Sequence, residues 1–325
     1  MRAVIVQLPG GPECLQIVER PRPVPGPSEL LVRNFATALN RADLLQRRGL
    51  YPPPPGDSEV LGLEFAGEVA EVGSRVSGFQ RGDRVFGLVG GGAYAEFLTV
   101  RYEMAVPIPD TFSFEAAAAV PEVFYTAGEC LLELARLERG DVVLVHAGAS
   151  GVGSAAIQLA RATGALVVAT VGSARKVDLC LRLGAARVVQ YKDEDFRGAV
   201  NEVSGGRGAD VVLDLVGAKH WDRSLECLRE GGRLLVVGMV GGSRVSLDLW
   251  QVLRRRLQIL GIAMRGRGID DKIAIARRFR ERVLPLLERG EIRPVLDRVF
   301  PLEEVRSAHE RMEANLNEGK IVLRM

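Results

Sequence analysis

Residues 141–163 of the chain read DVVLVHAGASGVGSAAIQLARAT and combine the signals of a strand, a turn and a helix. Val142 to His146 is a near-continuous apolar run, as expected for a strand that is buried on both faces. Ser154 to Thr163 carries the apolar stripe of a helix. The glycine-rich turn between them, Gly148 to Gly153, lets backbone N–H groups approach a pyrophosphate, and the helix adds the positive end of its dipole. The stretch therefore predicts a dinucleotide-binding βαβ unit.

Strands and helices keep alternating after this unit. Further strands are predicted at Leu166 to Val171, Val188-Val189, Val211 to Leu215, Leu234 to Val237 and Leu257 to Ile262. Such alternation predicts the α/β class, with a parallel, doubly wound sheet that carries helices on both faces. A doubly wound sheet with its helices forms a Rossmann domain, and we assign it to residues 121–267.

The first third of the chain has a different pattern. Short alternating runs, separated by turns rich in Gly and Pro, lie at Leu30 to Phe35, Gly67 to Gly73 and Tyr94 to Val100. Many short strands at this spacing predict a small β-barrel-like domain, which we assign to residues 1–120.

Two further helical stretches flank the Rossmann domain. One runs from Glu115 to about Arg136 and is interrupted by Pro121, and the other runs from Asp270 to Arg289. A short strand, Ile321 to Leu323, closes the chain. We expect this tail, residues 268–325, to return to the first domain.

The composition excludes several classes of function. A chain of 325 residues makes about two domains, and 47% apolar with 26% charged residues is ordinary for a globular protein. With 43 basic and 41 acidic residues the net charge is +2, so we expect no nucleic-acid partner. No apolar run approaches the roughly 18–20 residues of a membrane span, and the N-terminus lacks signal-peptide anatomy. We therefore expect a cytoplasmic protein with no membrane partner.

The cysteines and histidines do not predict a metal site. Cys14, Cys130, Cys180 and Cys227 are far apart and form no CxxC pair, and the chain has only three histidines. We expect the cysteines to be buried, small apolar side chains.

The end of the second predicted strand indicates which dinucleotide binds. The fingerprint for NAD places Asp or Glu about 20 residues beyond the glycine turn, where it holds the ribose 2′-hydroxyl. Here the segment from Thr170 to Lys176 has no acid and offers Ser173 and Lys176 instead. A hydroxyl and a cation accept a 2′-phosphate through charge-assisted hydrogen bonds, so NADPH is the predicted cofactor.

Further motifs lie outside the glycine turn. They are NRADLLQRRGLYP at residues 40–52, LGLEFAG at 61–67, GDRV at 82–85, PVLDR at 294–298 and GKIV at 319–322. Together with HAGASGVG at residues 146–153, they resemble the medium-chain dehydrogenase/reductase superfamily. More narrowly they are similar to its zinc-independent, zeta-crystallin-like quinone oxidoreductases, and above all to the p53-inducible quinone oxidoreductase-like group. The resemblance covers essentially the whole chain, and it implies a GroES-like β-barrel domain beside the Rossmann domain.

The resemblance also bears on zinc. Zinc-dependent members place Cys where Asn40 stands and His where Leu63 stands, and they carry a lobe with four cysteines that is absent here. Neither ligand set is present, so we expect no metal. Glu64 and Asp43 remain as acids. We expect them to hydrogen-bond within the first domain, with direct catalysis as the alternative.

The family pattern implies the site residues. Those expected around the cofactor are Ala149, Ser150, Gly151, Val152, Gly172, Ser173, Lys176, Tyr191, Met239, Gly241, Ala263, Met264, Asn315 and Lys320. Those expected on the catalytic side are Asn40, Tyr51 and Thr126. Asn40 and Tyr51 are the hydrogen-bond donors expected to stabilise negative charge on the acceptor.

The implied function is transfer of reducing equivalents from NADPH to a quinone-like acceptor without zinc. One alternative is an NADPH-dependent reductase of alkenals or enones, and another is a non-catalytic NADPH-binding protein with a structural or RNA-binding role. No dedicated general acid is evident, because no histidine lies near the motifs of the active site. In the family the strand at Leu257 to Ile262 pairs with a second subunit, so we expect a homodimer.

Overall fold

The computed structural model describes residues 1–325 in two compact units. The first unit combines Met1–Tyr125 with Met264–Met325, and the second is Thr126–Ala263. The division thus falls after residues 125 and 263, where the sequence places it after 120 and 267. The tail belongs to the first unit, because its last two strands join that unit's main sheet.

The chain contains fifteen strands, and they alternate regularly with helices in the second unit. The strands are β1 (Arg2–Val6), β2 (Leu15–Glu19), β3 (Glu29–Ala38), β4 (Glu64–Val72), β5 (Arg84–Leu88), β6 (Phe97–Arg101), β7 (Val106–Pro107), β8 (Val142–Val145), β9 (Leu166–Val171), β10 (Arg187–Gln190), β11 (Ala209–Asp214), β12 (Leu228–Val236), β13 (Gln258–Gly261), β14 (Leu296–Pro301) and β15 (Lys320–Arg324).

The helices are mostly short. They are α1 (Arg41–Arg47), α2 (Phe114–Ala118), α3 (Pro121–Gly128), α4 (Gly151–Thr163), α5 (Val177–Leu183), α6 (Phe196–Ser204), α7 (Trp221–Cys227), α8 (Leu249–Arg255), α9 (Ile269–Arg282), α10 (Leu284–Glu288) and α11 (Val305–Glu313). A π-helical segment, Glu129–Leu134, follows α3. None of the helices combines the length and the apolar character that crossing a bilayer requires.

Proline divides both of the predicted long helical stretches. Pro121 opens α3 after α2 has ended, and Pro285 lies in the first turn of α10 just after α9 ends. Proline has no N–H to donate and its ring clashes with the preceding turn, so it is tolerated only where a helix starts. The single helix predicted from Asp270 to Arg289 is therefore two helices.

The second unit is a six-stranded, wholly parallel sheet in the order β10-β9-β8-β11-β12-β13. Its core is apolar: Leu144, Val168, Val212 and Leu234, from four adjacent strands, are each fully buried. The strand order reverses between β8 and β11. In sheets of this kind ligands bind beyond the carboxyl ends of the strands at such a switch point.

The first unit is built on a mixed sheet in the order β14-β15-β3-β4-β5-β7, with β6 also pairing with β3. Only β14 and β15 run parallel, and β15 joins the sheet antiparallel to β3. An apolar core that includes Leu30, Phe65 and Val85 packs on this sheet. The predictions of a doubly wound parallel sheet and of a separate strand-rich domain are confirmed.

Gly153, in the first turn of α4, provides a test of the packing that positions the glycine turn. A Cβ placed there would lie 2.3 Å from the carbonyl oxygen of Ala147, a backbone atom that cannot move aside. We predict that Gly153→Ala lowers the unfolding free energy by about 1–3 kcal/mol. The matched control is Gly198→Ala in α6, where nothing lies within 4 Å of the added carbon. That change should raise the unfolding free energy by about 0.5–1 kcal/mol. Thermal denaturation of both variants tests whether Gly153→Ala lowers the stability and Gly198→Ala raises it.

Candidate functional site

The glycine turn of the second unit presents backbone donors. Ser150 caps α4, because its Oγ accepts the N–H of Gly153 at 3.1 Å and its carbonyl accepts the N–H of Ser154 at 2.9 Å. The N–H groups of Gly151 and Val152, in the first turn, have no partner within the helix. These two half-buried residues therefore offer donors at the positive end of a 13-residue helix. The arrangement fits a pyrophosphate, and Ala149 lies buried beside it.

The turn after β9 brings together the residues expected at the ribose. The parallel pairing of β9 with β10 places Tyr191 beside Gly172, where an added Cβ would lie 3.2 Å from the tyrosine hydroxyl. Ser173 and Lys176 follow and are half-buried, and Lys176 ends a short 3₁₀ turn. No carboxylate lies between Gly172 and Lys176. A hydroxyl with a cation suits a 2′-phosphate, and an acid would repel it.

The loops after β11 and β12 are tied to each other. The carboxylate of Asp214, at the end of β11, accepts the N–H groups of Val216 and Gly217 at 2.8 and 2.9 Å. The N–H of Gly241 in turn donates to the carbonyl of Val216 at 2.7 Å. This holds Met239, which is 56% exposed, at the carboxyl end of the sheet. An exposed thioether at this edge fits the expected contact with the nicotinamide half of the cofactor better than a role as core filler.

Two other expected residues of this unit have contrasting surroundings. Ala263 is exposed just after β13. Thr126 is buried in the second half of α3, with 4% of its surface exposed. The structure thus places this expected catalytic residue in the interior of the unit.

Histidines missed by the sequence analysis lie in the interior of the second unit. The ring nitrogens of His146 lie 3.0 Å from Thr170 Oγ1 and 2.9 Å from Ser224 Oγ. Burial holds the pKa of His146 well below its usual value, so the ring is neutral. His220 packs between this ring and that of Tyr191, with centroid separations of 4.7 and 4.8 Å. The packing of His146 and His220 therefore helps to fix the position of the Tyr191 ring.

A buried network of charges lies in the first unit. The Lys320 ammonium donates to Glu64 Oε1 at 2.7 Å, to Asn40 Oδ1 at 2.6 Å and to the carbonyl of Leu39 at 2.7 Å. Asn40 Nδ2 donates to Glu64 Oε1 at 2.8 Å, and the N–H of Glu122 donates to Glu64 Oε2 at 2.8 Å. Glu64 is thus a fully buried carboxylate surrounded by N–H donors.

This network revises the roles expected of two residues. All three N–H groups of Lys320 are engaged, and only 3% of its surface is exposed, so it has no donor left to close over a cofactor. The amide hydrogens of Asn40 go to Glu64 and to the carbonyl of Ala38. Asn40 therefore positions the network rather than donating to a substrate.

Asp43 connects the same network to α1. Its Oδ2 accepts the N–H of Asn40 at 2.7 Å, which caps the helix, and the hydroxyl of Tyr94 at 3.2 Å. Burial raises the pKa of Asp43 to about 6. The acids Asp43 and Glu64 thus hydrogen-bond within the first unit, as expected from the sequence.

The donor set at these positions does not fit zinc. Asn40 offers an amide and Leu63 an aliphatic chain, while the Glu64 carboxylate is already neutralised by an ammonium. Zinc in proteins takes thiolate, imidazole or carboxylate ligands, usually three or four of them. No group of three or more His, Cys, Asp or Glu side chains in residues 1–325 is placed to hold a metal ion.

Tyr51 is positioned by an arginine that the sequence analysis did not single out. Arg265, of which 6% is exposed, donates to the carbonyl groups of Tyr51 and Gly90 and to Gln46 Oε1, at 3.1, 2.7 and 2.8 Å. Its guanidinium also lies 5.4 Å from the centroid of the Tyr51 ring. The phenol itself is half-buried, and burial raises its pKa.

Asn315, another residue expected at the cofactor, is exposed after α11 and accepts a hydrogen bond from Arg41 at 2.5 Å.

An apolar pocket opens beside Arg265 and contains the remaining expected residue of this unit, Met264. Glu122 and Tyr125, both on α3, also line it. Neither was predicted from the sequence. The signal available was an acid in the first turn of an otherwise apolar helix, directly after Pro121.

Known proteins match both units. Residues 26–110 match the family model of the alcohol dehydrogenase GroES-like domain, and residues 151–288 match that of the zinc-binding dehydrogenases. The quinone oxidoreductase of Pseudomonas aeruginosa is 36% identical over 315 residues, which make up 97% of this chain and 96% of that protein. The chain belongs to the quinone oxidoreductase group of the medium-chain dehydrogenase/reductase superfamily. The predicted resemblance to the quinone oxidoreductases of this superfamily is thereby confirmed.

Solved structures of this superfamily share the fold along the whole chain. Escherichia coli quinone oxidoreductase complexed with NADPH superposes with a TM-score of 0.90 at 32% identity, covering 100% of both chains. The CurK enoyl reductase superposes with a TM-score of 0.89 at 28% identity, covering 100% of this chain and 99% of that one. The fold therefore accommodates acceptors of more than one class.

The buried pair of Lys320 and Glu64 can be tested by removing its cation. We predict that Lys320→Met lowers the unfolding free energy by about 3–5 kcal/mol, because a carboxylate stays buried without a counter-charge. Adding Glu64→Gln should recover part of the loss. The matched control is Arg256→Ala, which breaks an ion pair whose side chains are 70% and 67% exposed. Arg256→Ala should lower the unfolding free energy by at most about 1 kcal/mol. If urea denaturation shows the same loss for Lys320→Met, the buried pair contributes no more than an exposed one.

Proposed function

We propose that this protein is an NADPH-dependent, zinc-independent quinone oxidoreductase that acts in the cytoplasm. The observation that carries the cofactor assignment is the turn after β9, where Ser173 and Lys176 replace the acid of an NAD site. The quinone assignment is supported by the family and by the name of the relative from P. aeruginosa.

The residues of the second unit have separate tasks in this proposal. Ser150, Gly151 and Val152 bind the pyrophosphate with the first turn of α4. Ser173 and Lys176 bind the 2′-phosphate, with Tyr191 against the ribose. Bound NADPH supplies the hydride. The protein orients the cofactor, and the exposed Met239 and Gly241 loop supports its nicotinamide half.

The first unit is proposed to stabilise the reduced acceptor. When a quinone gains a hydride, negative charge develops on its oxygen, and fixed donors or cations stabilise that charge. Arg265 is held by three hydrogen bonds and brings a positive charge to the apolar pocket. The half-buried phenol of Tyr51 beside it is the donor we assign to the acceptor.

A second candidate is an enone reductase, which would reduce an activated carbon–carbon double bond. The similarity to the CurK enoyl reductase favours it. This reaction needs a proton delivered to a carbon atom, whereas a quinone takes the proton on oxygen. Comparing a quinone with an enone as acceptor therefore separates the two candidates.

We also propose that the protein is a homodimer formed through the second unit. Strand β13 is the edge of the parallel sheet, and half of its residues are exposed. On the adjacent α8, Leu249, Trp250 and Leu253 are 72%, 63% and 69% exposed. An open strand edge beside large apolar side chains is a liability unless a partner covers it.

Light scattering tests the dimer. We predict a solution mass of about twice the 35.2 kDa of the chain, and a shift toward the single-chain mass in Trp250→Glu, because a charge in an apolar interface is desolvated without a partner. Leu8→Glu, a change at another exposed leucine, is the control and should leave the mass unchanged. A mass of one chain for the unaltered protein would refute the dimer.

The function is tested by titrating the protein with NADPH and with NADH and then adding 1,4-benzoquinone. We predict tighter binding of NADPH and loss of its absorbance once the quinone is present. Lys176→Ala should weaken NADPH by about 10- to 150-fold, the cost of a charge-assisted hydrogen bond, and should change NADH little. Equal losses for both cofactors would overturn the 2′-phosphate assignment, and binding without oxidation would overturn the quinone assignment.

A further inference from the structure

The pocket of the first unit is small. The space it leaves for the centre of a water-sized sphere is about 20 Å³, and one such sphere needs about 10–15 Å³. The pocket therefore admits one or two species of the size of water and no organic ring. Most of its wall is apolar and is formed by Leu63, Leu88, Val89, Met104 and Ile275. The few polar groups that reach this space decide what it holds.

Two positive side chains line the pocket, Arg265 and Lys272. Lys272 pairs with Asp57 at 3.5 Å. Arg265 is only 6% exposed, and its three hydrogen bonds go to two backbone carbonyl groups and an amide oxygen. A guanidinium has five N–H donors, so two of them are left without a protein acceptor, and no carboxylate is bonded to the charge.

Two further donors of this region are buried without a partner. The Tyr125 hydroxyl lines the pocket, and 3% of the residue is exposed. The Nε of Arg280 is the other. Arg280 follows Lys272 and Ala276 on α9 at intervals of four residues, so the three share one face of the helix. Burial raises the pKa of Tyr125 and the charge of Arg280 lowers it, so these two groups interact. Unpaired buried donors are costly, and an acceptor in the pocket would remove that cost.

The one acid that lines the pocket is Glu122. Its backbone N–H donates to Glu64 at 2.8 Å, and its carboxyl forms no hydrogen bond or ion pair. Burial, and next the charge of Glu64, raise the pKa of Glu122 to about 8, while Lys320 lowers it. At pH 7 Glu122 is therefore mostly uncharged, and it does not supply the counter-charge that Arg265 lacks.

The charges at the pocket consequently do not balance. Asp57 offsets Lys272. Asp43 acts on Arg265 from a distance, but its carboxylate is bonded to the N–H of Asn40. One positive charge, that of Arg265, is left at neutral pH. A buried charge is stable only when it is paired, and a single monovalent anion would pair this one.

We propose that the pocket binds a small inorganic anion, of the size and charge of chloride, as the counter-ion of Arg265. The free N–H groups of Arg265 and the hydroxyl of Tyr125 hold the ion, and Lys272 adds positive charge. The apolar remainder of the wall and the small volume exclude a large or doubly charged anion such as sulfate. Because Arg265 also holds the carbonyl groups of Tyr51 and Gly90, the bound ion stabilises the segments that Arg265 joins.

The experiment titrates the full chain, without NADPH, with sodium chloride and follows the NMR signal of chloride, which broadens when the ion exchanges with a protein site. Sodium gluconate keeps the ionic strength constant, because gluconate is too large for the pocket. The unaltered protein should show saturable broadening. Tyr125→Phe should weaken chloride binding by about 10- to 150-fold, since it removes one hydrogen bond to a charged partner. The matched control is Tyr102→Phe in the same unit, which does not line the pocket and should leave chloride binding unchanged.

Thermal denaturation supplies the second readout. An ion that binds the folded protein and not the unfolded chain raises Tm. Chloride should therefore raise the Tm of the unaltered protein above its value in gluconate at the same ionic strength. Tyr125→Phe and Lys272→Met should each lose most of that rise. Lys192→Met, a change at an exposed lysine of the second unit, is the control and should keep it.

Bromide locates the ion, because its anomalous scattering identifies it in crystals of the unaltered protein. A bromide peak within hydrogen-bond distance of both Arg265 and Tyr125 supports the proposal. Water in the pocket with bromide only on the surface, an adventitious ion only, overturns it. Equal chloride binding and an equal rise in Tm for the unaltered protein and Tyr125→Phe also overturn it. The crystals decide even if Tyr125→Phe does not fold, and no readout uses NADPH or a quinone, so failure of the proposed function would leave this result standing.

Discussion

The ion pair between Lys320 and Glu64 is the interaction on which the first unit depends. Lys320 begins β15 and Glu64 begins β4, and 256 residues separate them in the sequence. Their contact joins the end of the chain to a central strand, and it also fixes Asn40, the residue that caps α1. Burying two charges is favourable only when each finds its full set of hydrogen bonds. The neighbours of this pair meet that condition, since every N–H of the ammonium has an oxygen.

The same pair determines the chemistry available next to it. Glu64 has its counter-charge in Lys320, and a second acid lies nearby whose pKa is raised to about 8 by burial and next by the charge of Glu64, while Lys320 lowers it. Glu122 is that second acid: its backbone N–H serves Glu64, and its side chain faces apolar surroundings. This protein lacks the zinc ligands expected in related dehydrogenases. It has instead a fixed internal cation, Lys320, and an uncharged acid, Glu122.

The second unit was predicted from the sequence more completely than the first. Strands buried on both faces are continuous apolar runs, so Val142 to Val145 and Leu166 to Val171 could be recognised locally, and the glycine turn between them could be placed. The cofactor preference also followed from a short segment, Gly172 to Lys176. These predictions needed only neighbours in sequence.

The residues missed or reassigned depend on partners far along the chain. Arg265 reaches Gly90 and Gln46, which are 175 and 219 residues away. Lys320 was expected to contact a cofactor because only its family pattern was visible, and its acceptors were not. Glu122 could not be recognised as an uncharged acid, since its raised pKa depends on its burial in the folded unit and on the charge of Glu64, which is 58 residues away. A local pattern carries no information about which of two glutamates receives the counter-charge.

The order of the strands also has a consequence for biosynthesis. The second unit is one continuous segment, Thr126–Ala263, and its hydrophobic core is complete once that segment has left the ribosome. The first unit lacks β14 and β15 until the rest has been translated, and during that interval Glu64 has no cation beside it. Nascent chains therefore expose the edge of an unfinished sheet in the first unit while the second unit is already complete. During this period a chaperone would bind the first unit and not the second.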